Sequence, residues 1–90
     1  MYGVVNLQIA KIRGVKWQGE SWADNDVAMM GILIEDFWCQ HKIDTFEVSK
    51  EDGLEVIKLF VGDETYKGKH EKLSMAIALA LIAKDRGERG

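Results

Sequence analysis

Ninety residues with 12 Lys and Arg against 15 Asp and Glu, a net charge of −3, fit one small domain. That balance and a pI near 5.3 argue against wholesale nucleic-acid binding, which normally presents a basic face. A single cysteine, Cys39, excludes an internal disulfide, and 47% hydrophobic residues supply a core without a disulfide or metal staple.

Val4–Arg13 carries two patterns. Val5, Leu7 and Ile9 alternate with Asn6 and Gln8 as in a strand. Val5, Ile9 and Ile12 also fall at helical spacing, with Gly14 where a helix-terminating glycine would sit. The residues leave helix and strand open. The following VKWQGESWADND reads as a loop pinned by Trp17 and Trp22.

A second helix is predicted with Val27, Met30, Ile34, Phe37, Trp38 and His41 on its apolar face, widened by Ile32 and Leu33. Asp24 or Asp26 would cap it, and both place negative charge at the positive end of its dipole. Gly31 inside it costs ~1 kcal/mol against alanine, which points to close approach of another element.

From Ile43 the pattern turns to β. Thr45–Ser49 and Leu54–Val61 are joined by Lys50-Glu51-Asp52-Gly53, a four-residue hairpin connection ending in Asp-Gly. Ile57, Leu59 and Val61 share one face of the second run, while Val56, Lys58 and Phe60 share the other. A sheet covered by helices mainly on one side follows from that asymmetry. Thr65-Tyr66-Lys67 would add a short edge strand before Gly68, with lysines discouraging edge-to-edge pairing.

The last helix is predicted from near Glu71 to Arg86, with Lys84 and Arg86 at its negative end and Gly87 just beyond. Its eleven-residue centre, Leu73–Ala83, reads LSMAIALALIA, with Ser74 its single polar side chain. A helix apolar on nearly every side must be covered on nearly every side, so the rest of the chain packs around it. The stretch falls short of the ~20 residues a bilayer span needs, and Met1 is followed by no basic-then-apolar targeting run. A soluble cytoplasmic chain with no membrane partner is expected.

Three of these segments carry a family resemblance. VNLQIAKIRGVKW, with Ile9-Ala10, Gly14 and Trp17, resembles the opening helix of the phage ABA-sandwich family. DNDVAMMGILIEDF resembles its second helix, with an Asp-type cap and small residues before aliphatic ones. LSMAIALALIA, with Ala76-Ile77, is similar to its closing helix. The resemblance implies helices on both sides of a small antiparallel sheet and tips Val4–Arg13 toward helix. The fold class is α+β, in the order α-α-β-β-(β)-α. No catalytic residue can be carried over.

The chemistry-bearing residues are few. Cys39 and His41 lie two apart and His70 is distant, short of the converging ligands a metal needs, so no metal and no cofactor are expected. Cys39 beside Trp38 reads as a buried small hydrophobe rather than a nucleophile, which needs a base in contact and an orienting group. Asp24, Asp26, Glu35 and Asp36 read as caps and solvated helix faces. Lys67, Lys69, His70 and Lys72 form a small basic cluster where a phosphate could sit against Gly68 and the next helix N-terminus. Trp17 and Trp22 either pin their loop or present a surface to a partner.

Together these features lead to a non-enzymatic accessory protein that acts by binding. The resemblance makes its partner a host or phage protein in a bacterial cell, with homo-oligomerisation open and a host-takeover or anti-defence inhibitor as the specific form. The alternative is an oligomeric sponge that sequesters a small nucleotide or other anionic ligand at Lys67, Lys69, His70 and Lys72.

Overall fold

The computed structural model describes residues 2–88. Over them the chain forms α1 (Tyr2–Arg13), α2 (Asp26–Ile34), a π-helical turn (Glu35–Cys39), β1 (Thr45–Glu51), β2 (Leu54–Val61), β3 (Glu64–His70) and α3 (Leu73–Arg86). The class is α+β, with three helices and an antiparallel sheet in the order β1-β2-β3.

The helical reading of Val4–Arg13 holds, because Val5, Asn6, Ile9 and Ala10 share one side of α1 and are buried there. Both α1 and α3 end on a left-handed glycine, Gly14 and Gly87. The N–H groups of Val15 and Glu88 then return to the carbonyls of Ala10 and Ala83.

The first hairpin turn is tighter than its sequence implies. Glu51 pairs with Leu54, so two residues make the turn rather than four. Asp52 and Gly53 both take positive φ (53° and 79°), which matches the right-handed twist of the flanking strands. β3 is also longer than Thr65–Lys67, running straight through Gly68 to His70.

Gly68 explains how α3 sits on the sheet. A Cβ at this position would collide with the carbonyl oxygen of Ala76 and lie 2.5 Å from the backbone nitrogen of Ala80. The α3 backbone therefore rests directly on β3, with Ala76 and Ala80 as the small residues at the contact. Ile57 and Leu59 of β2 complete the floor beneath α3. On its remaining sides α3 meets α1 and α2, so the apolar rod is enclosed within its own chain.

Among the described residues no helix lies on the outer face of the sheet. The resemblance implied helices on both sides, whereas the alternation within β2 implied cover mainly on one side, and the alternation is right. Val56 points outward and is nevertheless fully buried. The Glu51 carboxylate on β1 reaches across β2 to Lys67 (3.6 Å) and Lys69 (3.7 Å) on β3. Long charged side chains of this kind cover apolar surface with their aliphatic stems.

The predicted apolar face of α2 is right at Ile32 and Leu33, which are buried, and wrong at Val27, Ile34, Trp38 and His41, which are exposed. Met29, Ile32 and Leu33 form the buried side, while Val27 and Ile34 are 83% and 43% exposed. Asn25, not Asp24 or Asp26, is the N-cap, accepting a hydrogen bond from the Ala28 N–H at 3.1 Å. Asp24 instead accepts from the Ser21 hydroxyl. Asp26 serves the other helix: its Oδ1 accepts from the Ser74 N–H at 2.9 Å and lies 3.7 Å from Lys72 Nζ. α3 consequently starts at Leu73 rather than Glu71, and its N-terminus is capped by the first residue of α2. The Ser74 hydroxyl donates to the Ala23 carbonyl at 2.6 Å, and the N–H groups of Trp22 and Ala23 donate to the Asn6 side chain.

Candidate functional site

Where α2 ends, the ladder widens by one residue. The Gln40 N–H reaches back to the Glu35 carbonyl at 2.9 Å, and the π-helical turn EDFWC replaces a last α-turn. Such turns add one residue to a helix and occur often at functional sites. Here Phe37 packs edge-to-face on Phe46 of β1, with ring centroids 5.5 Å apart. Trp38 is left 71% exposed, its ring edge-on to Phe37 at 6.2 Å.

His41 then takes a left-handed conformation (φ 54°), and the Lys42 N–H returns to the Asp36 carbonyl at 2.8 Å. This turn leads the chain through buried Ile43 to Asp44, whose Oδ2 accepts from the Gly62 N–H at 2.6 Å. Phe37, Trp38, His41, Ile43 and Asp44 line a concavity of about 390 Å³. Its wall is largely apolar, with one imidazole and one carboxylate to orient a guest.

No hydrogen bond joins Cys39, His41 and Asp44 to one another among the described residues, and no three His, Cys, Asp or Glu converge there on a metal position. Cys39 is exposed, contrary to its expected burial. The arrangement can receive an apolar group; it does not assemble a nucleophile with its base.

Asp36 borders this turn and is half-buried. Burial raises its pKa above the ordinary 3.8, Lys42 and Lys84 pull it back, Glu35 adds to the rise, and Arg13 opposes it. A carboxyl raised in the folded state contributes stability that is fully present below the unfolded value of 3.8 and is lost as pH rises through the folded value. Asp36→Asn is therefore expected to melt at a higher temperature than wild type at pH ~7 and together with it below the unfolded carboxyl value. Thermal melts across that range check the sign, and a lower Asp36→Asn midpoint at neutral pH would refute it.

The tryptophans and lysines singled out from the sequence do not gather at this site. Trp22 is 7% exposed and packs in the core, with the Arg13 guanidinium 5.7 Å from its ring centre. Trp17 is half-buried, and its Nε1 donates to the Glu20 carbonyl at 2.9 Å. This pair pins the loop between α1 and α2.

The basic cluster is divided by strand alternation. Lys67 and Lys69 lie on the outer sheet face, both bound to Glu51, and His70 lies on the opposite face. His70 Nδ1 accepts from the Lys72 N–H at 3.0 Å, and Lys72 itself is paired with Asp26. The anion position at the α3 N-terminus is already filled by the Asp26 carboxylate.

Comparison with known proteins adds no relative. No family model, curated protein or solved structure matches this chain. The resemblance to the phage ABA-sandwich family rests on the three sequence segments alone.

Proposed function

We propose that the chain is a small protein-binding accessory module without a reaction centre of its own. One observation carries this reading. Trp38 stands 71% exposed on the rim of an apolar concavity whose floor holds Phe37 and Ile43. A large exposed aromatic beside an apolar hollow matches the anchors that dominate protein interfaces. The guest is a segment of a partner protein that inserts an aliphatic or aromatic side chain beside Trp38.

The resemblance makes that partner a host or phage protein in the bacterial cytoplasm, with inhibition of host machinery or defence as the role. No helix among the described residues is long and apolar enough to cross a membrane. The sponge alternative has less support, since each lysine of its site is bound to a carboxylate and His70 lies on the opposite sheet face from Lys67 and Lys69.

Affinity capture from bacterial lysate, with wild type and Trp38→Ala compared, tests the reading. Trp38→Ala is expected to lose the retained partner by at least ~tenfold, the effect of removing an interface anchor. Its thermal midpoint should barely move, because surface substitutions usually stay within ~0.5 kcal/mol. An unchanged set of captured proteins would sink the assignment.

A further inference from the structure

The outer side of α2 and the edge of β1 are both left open. A Cβ at Gly31 would meet nothing within 4 Å, so the close approach its position suggests is absent. A helix satisfies its backbone groups internally, whereas an edge strand leaves those of every second residue without a neighbour.

The order β1-β2-β3 puts β1, seven residues long, at one edge of the sheet. Its tight turn fixes which backbone groups are left over. Glu51 and Leu54 close a two-residue turn as a hydrogen-bonded pair, so Ser49, Glu47 and Thr45 also bond to β2 at every second step. The N–H and C=O groups of Phe46, Val48 and Lys50 point the other way. No group among the described residues bonds to them. On the far edge the corresponding groups belong to Thr65, Lys67 and Lys69, and those lysines guard it. β1 presents Phe46 and Val48 instead, with its one outward lysine, Lys50, held by Glu55 at 3.6 Å.

The two faces of this edge differ in chemistry. Val48 pairs with buried Ile57 and so lies on the helix side, yet α3 packs on β2 and β3 and Val48 stays 46% exposed. Phe46, on the same side, backs onto Phe37, and Ile43 and Asp44 of the concavity lead straight into β1. On the outer side the column nearest the edge is Thr45, Glu47, Ser49 and Glu51. Glu51 is held by Lys67 and Lys69, whereas Glu47 is exposed and has no ion pair among the described residues. Lys58, Lys67 and Lys69 stand one and two strands further in. We infer that β1 takes up an extended segment of the protein partner as a fourth strand, with apolar side chains beside Phe46 and Val48 and a basic one beside Glu47.

Main-chain hydrogen bonds to the three outward residues would hold such a segment, and the two side-chain columns would select it. A second β1 fits poorly. Pairing β1 on β1 brings Glu47 and Glu51 of both copies into touching columns that contain no cation. The inference deepens the protein-binding reading: it rests on there being a protein partner and names the form in which that partner binds, with the concavity at the end of the added strand.

The probe is the peptide acetyl-KVKVKVKVK-amide, titrated to ~1 mM into the isotope-labelled full chain, with amide hydrogen exchange read residue by residue. Exchange at Phe46, Val48 and Lys50 is expected to slow at least ~tenfold, while Glu47, Ser49 and Glu51, already bonded to β2, change little. Val48→Pro removes one outward N–H and no ladder bond. It should keep the far-UV circular dichroism of wild type and weaken peptide binding at least ~tenfold. Glu47→Lys should bind this peptide more weakly than wild type and its acidic counterpart acetyl-EVEVEVEVE-amide more tightly. Unchanged exchange at the three outward amides overturns the inference, as does undiminished binding by a folded Val48→Pro. Glu47→Lys without effect on either peptide overturns the basic side chain. Sedimentation of the protein alone that grows with concentration and is abolished by Val48→Pro would make the occupant another copy and overturn the inference too. A captured partner that needs Trp38 but survives Val48→Pro overturns the added strand alone. One that survives Trp38→Ala but is lost with Val48→Pro overturns the Trp38 anchor and leaves the strand in place.

Discussion

Gly68→Ala is expected to destabilise the fold by ~3 kcal/mol or more, at the upper end of overpacking effects. The added methyl has backbone on the far side of the contact, the Ala76 carbonyl and the Ala80 nitrogen, and no flexible side chain that could swing away. Relief requires α3 to lift from β3. That movement also separates Ile57 and Leu59 from the helix they bury against. Small domains are stable by ~5–15 kcal/mol, so the loss is a large share of the total. Urea unfolding should show the midpoint falling by at least ~1 M. A midpoint near that of wild type would mean that α3 does not rest on Gly68.

The second large effect is expected at Asn6, a buried polar residue on the core side of α1. Its Oδ1 accepts from the N–H of Ala23 at 2.8 Å and from the N–H of Trp22 at 3.3 Å. Asn6→Ala orphans two buried donors, each costing ~1–3 kcal/mol, so a loss of about 3 kcal/mol is expected. Asn6→Leu restores the volume but no acceptor. If the side chain serves as an acceptor, the leucine variant should be nearly as unstable as the alanine variant in the same urea experiment. Recovery of wild-type stability by leucine would assign the site to packing instead.

How much of this was legible from residues alone varies with the range of the interaction. α3 was plain, since eleven residues with one polar member leave no other arrangement than enclosure. The strands were plain as well, because alternation in β2 identified both the buried face and the one-sided cover. Alternation also held an unused clue: Lys67 and Lys69 differ by two and His70 by an odd number, so the cluster could not converge within a strand.

The face of α2 was harder to read. Its residues are apolar on several sides, and periodicity cannot say which apolar stripe is covered by the rest of the chain and which is left in water. The π-helical turn then sets Trp38 outward and Phe37 inward, a widening with no residue signature of its own. A tryptophan that looked like core became the exposed one, and Trp22, a candidate surface residue, went inside. The Asp26 cap on α3 spans 48 residues of sequence. Local rules assign an aspartate there to its own helix.

That distant cap has a consequence for how the molecule comes apart. Through Asp26, Ser74, Ala23 and Asn6, three helices that are remote along the chain share one small polar knot. Fraying at the start of α2 unlatches the leading amides of α3, and loss of α1 frees the strap between them. The helical layer is therefore expected to open as a single cooperative unit, with hydrogen exchange at the Ser74 amide following the melting of α2.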